Sequence, residues 1–350
     1  MPGFGPVDGG SSPPGPIRKM NIFLSAGVIL LVSYLLVWLG RKVKVPSVVM
    51  LIIAGLLFNV PFLSGIFISE NLMALEILGT IGLFVLMFLA GLEISWCQLY
   101  KERKDATFIA FFASIFPFTL GTIVFIAIGF SFFTSAMVGI SMSITAEATK
   151  ARVLIDLGKL RTRLGAAMMG AGIIDDIIGI GLFMAIALVF GSFSKESLVT
   201  FGVIGSFFLG ILFNRKIREN VMEKNLVEKI LLFGIVPFFF ISMGIRFDFN
   251  SLVLNPLILV LVIFLGIFGK IGGVFLTKNY TKFTNKQLIL VGWAMNSRGA
   301  IELALALIAL NIGLINAELY SSIIVMGLVT TLIFPFIITH MIKKYKKIMN

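Results

Sequence analysis

Long runs without a charged residue limit most strongly what this chain can fold into. Four of them are Met20 to Gly40, Val45 to Ser69, Ala106 to Ala146 and Phe249 to Gly269. A helix needs about 20 mostly apolar residues to cross the hydrocarbon layer of a membrane. Only 13% of the residues are charged, against about 25% in soluble globular domains. We therefore predict an all-α polytopic membrane protein, which excludes a soluble domain, a disordered chain and a disulfide scaffold.

About eleven transmembrane helices follow from these runs. The run from Ala106 to Ala146 is too long for one helix, and a tight turn near Ser131 to Ser135 is predicted to divide it into two. The predicted helices span residues 20–40, 46–66, 72–96, 105–130, 134–158, 163–190, 198–214, 225–246, 251–277, 286–312 and 317–342.

The basic residues predict the orientation of these helices. The chain has 29 Lys and Arg residues and a formal net charge of +12. Most of them fall in alternate loops on one side, among them the segments 41–44, 101–104 and 343–347. Short cytoplasmic loops carry such an excess, so we expect the N-terminus outside, the C-terminus in the cytoplasm and the protein in the cell membrane. The positive charge is then a sign of topology and predicts no nucleic-acid partner.

Residues 1–19 differ in composition from the rest of the chain. They are rich in proline and glycine and lack an apolar segment, which predicts a disordered or non-native tail. Residues 20–350 are predicted to form a single transmembrane domain without a soluble module.

A weak internal repeat divides this domain. Leu89 to Glu93, at the end of the third predicted helix, resembles Ser242 to Asp248, at the end of the eighth. Those two helices run in opposite directions through the membrane. The register pairs residues 46–190 with residues 198–342 and gives an inverted five-helix repeat plus one N-terminal helix. Such an architecture is typical of secondary transporters, whose substrate site lies near the midplane at discontinuous helices.

Asp175 and Asp176 lie near the centre of the sixth predicted helix. Eleven uncharged residues precede them, which at 1.5 Å per residue places the pair roughly 16 Å from the end of the apolar stretch. A charge at that depth costs at least about 2.5 kcal/mol on insertion scales. A carboxylate that holds either a proton or a small hard cation, but not both, would justify this cost. We therefore predict that the pair binds a small hard cation or protons, with Lys270 as the counter-charge of Asp175.

Two predicted helices carry polar clusters at a similar depth and are expected to be broken there. The fifth contains Ser143, Thr145 and Glu147, and the tenth contains Arg298 and Glu302. Non-helical backbone is tolerated in membranes where it lines protein or a cavity. Arg298 and Glu302 are four residues apart, which favours an internal ion pair over cation binding.

Two further basic residues follow in the fifth helix. Lys150 and Arg152 are expected at its cytoplasmic end, exposed to a water-filled funnel.

Taken together, the ordered segments resemble the monovalent cation:proton antiporter superfamily, especially the bacterial sodium:proton antiporters and the cation:proton exchangers. The segments that carry the resemblance are Phe88 to Glu93 (FLAGLE), Ser143 to Leu154 (SITAEATKARVL), Gly172 to Asp176 (GIIDD), Lys270, and Arg298 to Leu303 (RGAIEL).

The resemblance implies roles for several of these residues. The fifth and tenth helices would be the crossed, unwound pair, with Asp176 as the main carrier of cation and protons and Thr145 beside it. The double aspartate resembles the electrogenic members, which exchange two protons for one sodium ion. A core of helices 4–6 and 9–11 would move against a panel that forms a homodimer. Glu147 and Lys150 depart from the family, where these positions are usually apolar or small, and this puts the selectivity in doubt.

Sodium or lithium exchange for protons is the function that these features favour. The alternatives are a potassium/proton antiporter, a cation channel, and a sodium-coupled organic anion symporter with the same repeat. Enzyme chemistry is disfavoured, because a single cysteine, Cys97, and a single histidine, His340, supply neither a nucleophile with its base nor a metal centre. No cofactor is expected, and the lipid bilayer is the expected partner.

Overall fold

The computed structural model describes residues 22–43, 45–67, 71–93, 103–160, 162–190, 195–218, 231–345 and 348–349. The predicted tail, residues 1–19, lies outside the described residues. The helices are α1 (Ile22–Lys42), α2 (Ser47–Phe58), α3 (Pro61–Phe67), α4 (Leu72–Glu93), α5 (Arg103–Ala127), α6 (Phe132–Ser143), α7 (Glu147–Asp156), α8 (Arg163–Phe190), α9 (Lys195–Arg218), α10 (Val236–Ile245), α11 (Phe249–Leu254), α12 (Pro256–Leu276), α13 (Asn285–Ala294), α14 (Ala300–Asn311) and α15 (Ala317–Lys344). A 3₁₀ turn, Thr277–Asn279, follows α12.

Six of these helices are long and apolar enough to cross a membrane, namely α1, α4, α5, α8, α12 and α15. Large apolar side chains on their outer faces are exposed, for example Phe23 at 83%, Val189 at 74% and Leu257 at 78%. An exposed apolar surface of this kind is satisfied by lipid. The chain is a multi-pass, all-helical membrane protein.

Two of the predicted spans are wrong as single helices. The span 46–66 is divided into α2 and α3 at Asn59, and the span 251–277 is divided into α11 and α12 at Asn255. In each divided span the second helix begins with a proline, which is Pro61 in α3 and Pro256 in α12. Proline is favoured at the first helical position, where its missing N–H is not needed, but it breaks a continuous helix.

The turn predicted near Ser131 to Ser135 occurs slightly earlier in the chain. Gly129 has a φ of 101°, and the Ser131 side chain accepts a hydrogen bond from the Thr134 amide at 3.2 Å. Ser131 is therefore the N-cap of α6 rather than part of the turn.

The helices pack in two groups. In the first, which we call the panel, α4 packs against α9 and α10, and α2 packs against α1 and α10. In the second, the inner bundle, α5 packs against α6, α8 and α12, and α12 also contacts α13 and α15. The broken segments α6–α7 and α13–α14 belong to the inner bundle.

Close glycine contacts hold the panel together. Gly91 on α4 lies against Gly210 on α9, and Gly55 on α2 lies against Gly244 on α10. A Cβ atom at any of these positions would overlap backbone of the facing helix. Small residues allow such close approach of helices in membranes.

Candidate functional site

Two helix interruptions face each other inside the inner bundle. One lies between Ser143 and Glu147, where α6 ends and α7 begins, and the other between Ala294 and Ala300. The Ala146 amide donates to the Ser297 carbonyl at 2.7 Å, and the Ser297 hydroxyl donates to the Ala146 carbonyl at 2.8 Å. The interruptions thus satisfy each other's backbone groups, as the membrane interior requires.

Arg298 caps the C-terminal end of α6. Its Nη1 donates to the carbonyl oxygens of Ser141 at 3.0 Å and Ile144 at 2.8 Å, and its Nη2 donates to that of Gly266 at 3.2 Å. A cation is favoured there because helix C-termini carry partial negative charge. The expected pair with Glu302 is present at 3.7 Å, but the shorter contacts are to carbonyls. The capping role is absent from the sequence prediction.

Asp175 is fully buried on α8, and both of its carboxylate oxygens accept hydrogen bonds. Lys270 Nζ lies 2.9 Å from Oδ2 and 3.1 Å from Oδ1, as expected from the sequence. The Ser114 hydroxyl also donates to Oδ1. Lys270 further donates to Thr145 Oγ1 at 2.8 Å and to the Ser143 carbonyl. Thr145 and the backbone of Ser143 therefore lie beside the carboxylate, whereas the Ser143 hydroxyl bonds back to Ile140 at 2.8 Å.

Asp176, the next residue, is in a different environment. It is 8% exposed, and its Oδ1 atom has no hydrogen-bond donor within the described part of the chain. It lines a cavity of about 450 Å³ together with Thr145, Glu147 and Glu302. Of the two adjacent carboxylates, Asp175 thus has donors on both oxygens, whereas Asp176 lines the cavity and has one oxygen without a donor among the described residues.

The structure corrects the expectation for Lys150. Its side chain is only 1% exposed, and Nζ lies 3.0 Å from Glu147 Oε1 and donates to the Met168 carbonyl at 2.8 Å. Burial is possible because Gly172 on α8 leaves room where a side chain would stand. Arg152 is 79% exposed and pairs with Asp156 at 3.3 Å, in agreement with the expectation of an exposed helix end.

A second cavity, also of about 450 Å³, lies at the opposite end of α4. Glu76, Ser242, Arg246 and Asn311 are among the residues that line it. On α14 the residues lining the first cavity end at Glu302 and those lining the second begin at Leu307. The residues between them are buried and apolar: Leu303, Ala304, Leu305 and Ala306. Asp176 therefore faces only the first of the two cavities.

Most residues predicted for the site lie in one cluster. Asp175, Lys270 and Thr145 are joined by hydrogen bonds, and Arg298 binds the carbonyl of Ile144, next to Thr145. Asp176, Glu147 and Glu302 line the same cavity as Thr145. Ser114 was missed by the sequence prediction, since nothing distinguishes it from other serines in apolar helices.

Comparisons with known proteins agree with this architecture. The family model described as "Sodium/hydrogen exchanger, transmembrane" matches residues 27–201 and 178–344. The chain is 25% identical to the Na(+)/H(+)-K(+) antiporter GerN of Bacillus cereus, with 91% of this chain and 95% of that protein covered. It is 24% identical to a Na(+)/H(+) antiporter of Enterococcus hirae, with coverage of 87% and 94%.

A solved structure shares the fold. The sodium proton antiporter MjNhaP1 from Methanocaldococcus jannaschii superimposes with a TM-score of 0.66 and 16% sequence identity, over 93% of this chain and 98% of that chain. With the family match spanning nearly the whole described chain, this chain belongs to the sodium/hydrogen exchanger transmembrane family, a family of transporters within the monovalent cation:proton antiporter superfamily.

Proposed function

We propose that this chain exchanges sodium or lithium ions for protons and that Asp176 carries both. One observation supports this most directly: Asp176 lines a cavity and has a carboxylate oxygen without a donor among the described residues, whereas both oxygens of the neighbouring Asp175 accept hydrogen bonds from Lys270 or Ser114. Oxygen ligands suit small hard cations. A proton on Asp176 would neutralise the carboxylate and exclude the cation, so the two occupants compete.

Thr145 is the proposed neighbouring ligand. It lines the cavity with Asp176, and its hydroxyl is oriented by the donor Lys270 and the acceptor carbonyl of Met295 at 3.0 Å. Lys270 and Asp175 form an ion pair beside Asp176. When the cation binds, Asp176 would release one proton and this ion pair a second one. Two protons would then be exchanged for one cation, so the exchange would be electrogenic.

Alternating access would move Asp176 between the two cavities. The cavity that reaches Asp176 is separated from the other by the apolar segment Leu303 to Ala306. Access from one side at a time argues against a cation channel. We place the protein in the cell membrane as a homodimer, with the N-terminus outside and the Asp176 cavity open to the cytoplasm.

The two helix interruptions support the proposed inverted five-helix repeat, 46–190 and 198–342, which with one N-terminal helix gives eleven transmembrane segments. The register that pairs Gly91 with Gly244 also relates the break before Glu147 to the break before Ala300. We propose that these two interrupted segments are the crossed pair.

Potassium/proton exchange is the second candidate, because one relative is named a Na(+)/H(+)-K(+) antiporter. The two candidates are separated by the cation that drives proton movement. An organic anion symporter is less favoured, since acidic residues line the cavity that reaches Asp176.

The test uses the purified full chain in liposomes that contain a pH-sensitive dye. A sodium or lithium gradient is expected to drive proton flux, and the apparent KM for sodium should rise as the medium is acidified. Asp176→Asn should abolish the flux. Arg152→Gln, a change in an exposed ion pair, is the control and should transport as well as the wild type. Sodium-driven proton flux by Asp176→Asn would overturn the assignment of the carrier, and flux with potassium alone would favour the second candidate.

A further inference from the structure

A third cavity, with basic walls, lies in the inner bundle and is separate from the exchange site. Its volume is about 750 Å³, and small-molecule sites in proteins usually measure about 300–1,000 Å³. It shares no lining residue with either of the two cavities described above. The proposed cation exchange therefore gives this cavity no role.

Four basic side chains from three parts of the chain line this third cavity. Arg163 is the first residue of α8, and Lys344 is the last residue of α15. Lys282 and Lys286 lie on either side of the N-cap of α13. None of the described residues that line the cavity is acidic, and Asp105, which pairs with Arg163 at 2.5 Å, lies outside that set. Like charges gathered in this way repel one another, and a bound anion relieves the repulsion.

Aromatic rings orient three of these cations around the cavity. Lys286 Nζ lies 4.6 Å from the centre of the Tyr345 ring, and Lys344 Nζ lies 5.7 Å from it. The Arg163 guanidinium lies 5.2 Å from the centre of the Phe283 ring. A cation within about 6 Å of a ring centre is attracted by the ring. Tyr345 and Phe283 themselves line the cavity, so the charged groups belong to its wall.

The start of α13 completes the wall. Thr284 and Gln287 form a capping box there, and a helix N-terminus adds partial positive charge. Gln287 Nε2 also donates to the Ile348 carbonyl at 3.0 Å, and Ile348 is only 6% exposed. The end of the described chain is thereby packed against the cavity and closes one side of it.

The cavity lies at the level where the membrane surface is expected. The spanning helix α8 begins at Arg163, the spanning helix α15 ends at Lys344, and both residues line the cavity. The ends of spanning helices lie at the level of the lipid headgroups. Basic pockets between transmembrane helices can bind the headgroups of anionic lipids. A lipid is therefore a better match for this position than a free phosphate ion from solution.

We propose that this cavity binds the headgroup phosphate of an anionic phospholipid, with Lys282, Lys286 and Lys344 as its charged ligands. The bound lipid would connect the starts of α8 and α13 with the end of α15. A ligand that binds only the folded state stabilises that state, so the lipid should stabilise the inner bundle. The proposal does not depend on the proposed exchange, because binding is measured without transport.

The experiment is thermal unfolding of the purified full chain in a nonionic detergent, with phosphatidylglycerol or phosphatidylcholine added to the micelles. Phosphatidylglycerol should raise the unfolding temperature of the wild type, whereas phosphatidylcholine should not. Lys282→Gln/Lys286→Gln/Lys344→Gln should need roughly a hundredfold more phosphatidylglycerol for the same rise, at about fivefold for each lysine next to an anionic lipid. An unchanged response of this variant would overturn the proposal.

The matched control is Arg41→Gln/Arg152→Gln/Lys343→Gln. It removes the same number of charges from exposed residues that do not line the cavity, and it should respond as the wild type does. Equal losses in the two triple variants would indicate general charge attraction and would overturn the site. Sodium phosphate is added in a further arm, at ionic strength matched with sodium chloride. Stabilisation by phosphate equal to that by phosphatidylglycerol would overturn the assignment to a lipid.

A measurement on the unchanged protein decides the question if the triple variant does not fold. Lysines are acetylated in nanodiscs that contain phosphatidylcholine alone or with phosphatidylglycerol, and the sites are quantified by mass spectrometry. Phosphatidylglycerol should slow acetylation of Lys282, Lys286 and Lys344 several-fold. Lys343, which is exposed and outside the cavity, should react at an unchanged rate. Equal slowing of Lys343 and the three cavity lysines would refute the site.

Discussion

Arg246 and Asn311 connect the panel to the inner bundle at the end of the molecule opposite the Asp176 cavity. Arg246 Nη1 on the panel side donates to Asn311 Oδ1 at the end of α14 at 2.6 Å. Arg246 Nη2 also donates to Glu76 Oε1 on α4 at 2.6 Å. The three side chains line the second cavity, so this contact holds the two helix groups together where that cavity meets the surface.

We therefore expect Arg246→Gln to make the second cavity more accessible from the solvent. The reporter is Ser242→Cys, which lies in that cavity, in a background in which Cys97 is replaced by serine. We expect a membrane-impermeant maleimide to label this cysteine several-fold faster in Arg246→Gln than in the parent. Arg152→Gln serves as the matched loss of an ion pair elsewhere. If the cysteine is labelled at the same rate in Arg246→Gln and in Arg152→Gln, Arg246 does not control access to the second cavity.

Asp175→Asn should destabilise the protein by leaving the Lys270 ammonium buried without its counter-charge. Removing one partner of a buried ion pair typically costs about 3–5 kcal/mol, and both side chains here are fully buried. Asp175→Asn/Lys270→Met removes both charges and should recover part of this loss, although the carbonyl of Ser143 then loses its donor. Thermal unfolding in detergent measures both effects. A double variant less stable than the single one would contradict the pairing.

Arg298→Gln should be among the most damaging single changes in the inner bundle. It removes three charge-assisted hydrogen bonds to backbone carbonyls, each worth about 1.5–3 kcal/mol. Arg298→Lys keeps the charge but cannot reach all three acceptors, so we expect intermediate stability. The check is the fraction of monodisperse protein after heating. Wild-type behaviour of Arg298→Gln would refute the capping role.

Gly179→Ala and Gly181→Ala form a matched pair on α8. A Cβ atom at Gly179 would overlap the Ile144 side chain in the interruption between α6 and α7, whereas at Gly181 it would meet nothing within 4 Å. Overpacking of this kind costs about 1–3 kcal/mol. The first variant should lower both the unfolding temperature and the transport rate, and the second should leave them equal or slightly raised. Equal effects of the two changes would show that Ile144 does not need this close approach.

The sequence predicts the residues of the site better than their contacts. Charge in an apolar background is easily recognised, so Asp175, Asp176 and Lys270 are found and their pairing follows from depth. Contacts made by backbone leave no such signal. The bonds from Arg298 to the carbonyls of α6 depend on how two interruptions approach each other, which no local pattern encodes.

For Lys150 the local sequence pattern predicts the wrong environment. A lysine two residues before an arginine predicts an exposed helix end, and for Arg152 this is right. The burial of Lys150 depends on the absence of a side chain at Gly172, which lies twenty-two positions further along the chain. Likewise, the breaks at Asn59 and Asn255 were missed because hydropathy continues across them, although Pro61 and Pro256 mark them.

The short apolar layer between the two cavities has an electrical consequence. Residues 303–306 of α14 span about 6 Å at 1.5 Å per residue, much less than the hydrocarbon thickness of about 30 Å. Both cavities have polar residues in their walls, and where they hold water the membrane voltage falls mostly across this layer. A small displacement of Asp176 past it would then carry its charge through most of the field, which is worth about 2.3 kcal/mol per charge at 100 mV. The turnover of an electrogenic cycle built on this layer would depend steeply on membrane potential, although the charge crosses only a few ångströms of apolar protein.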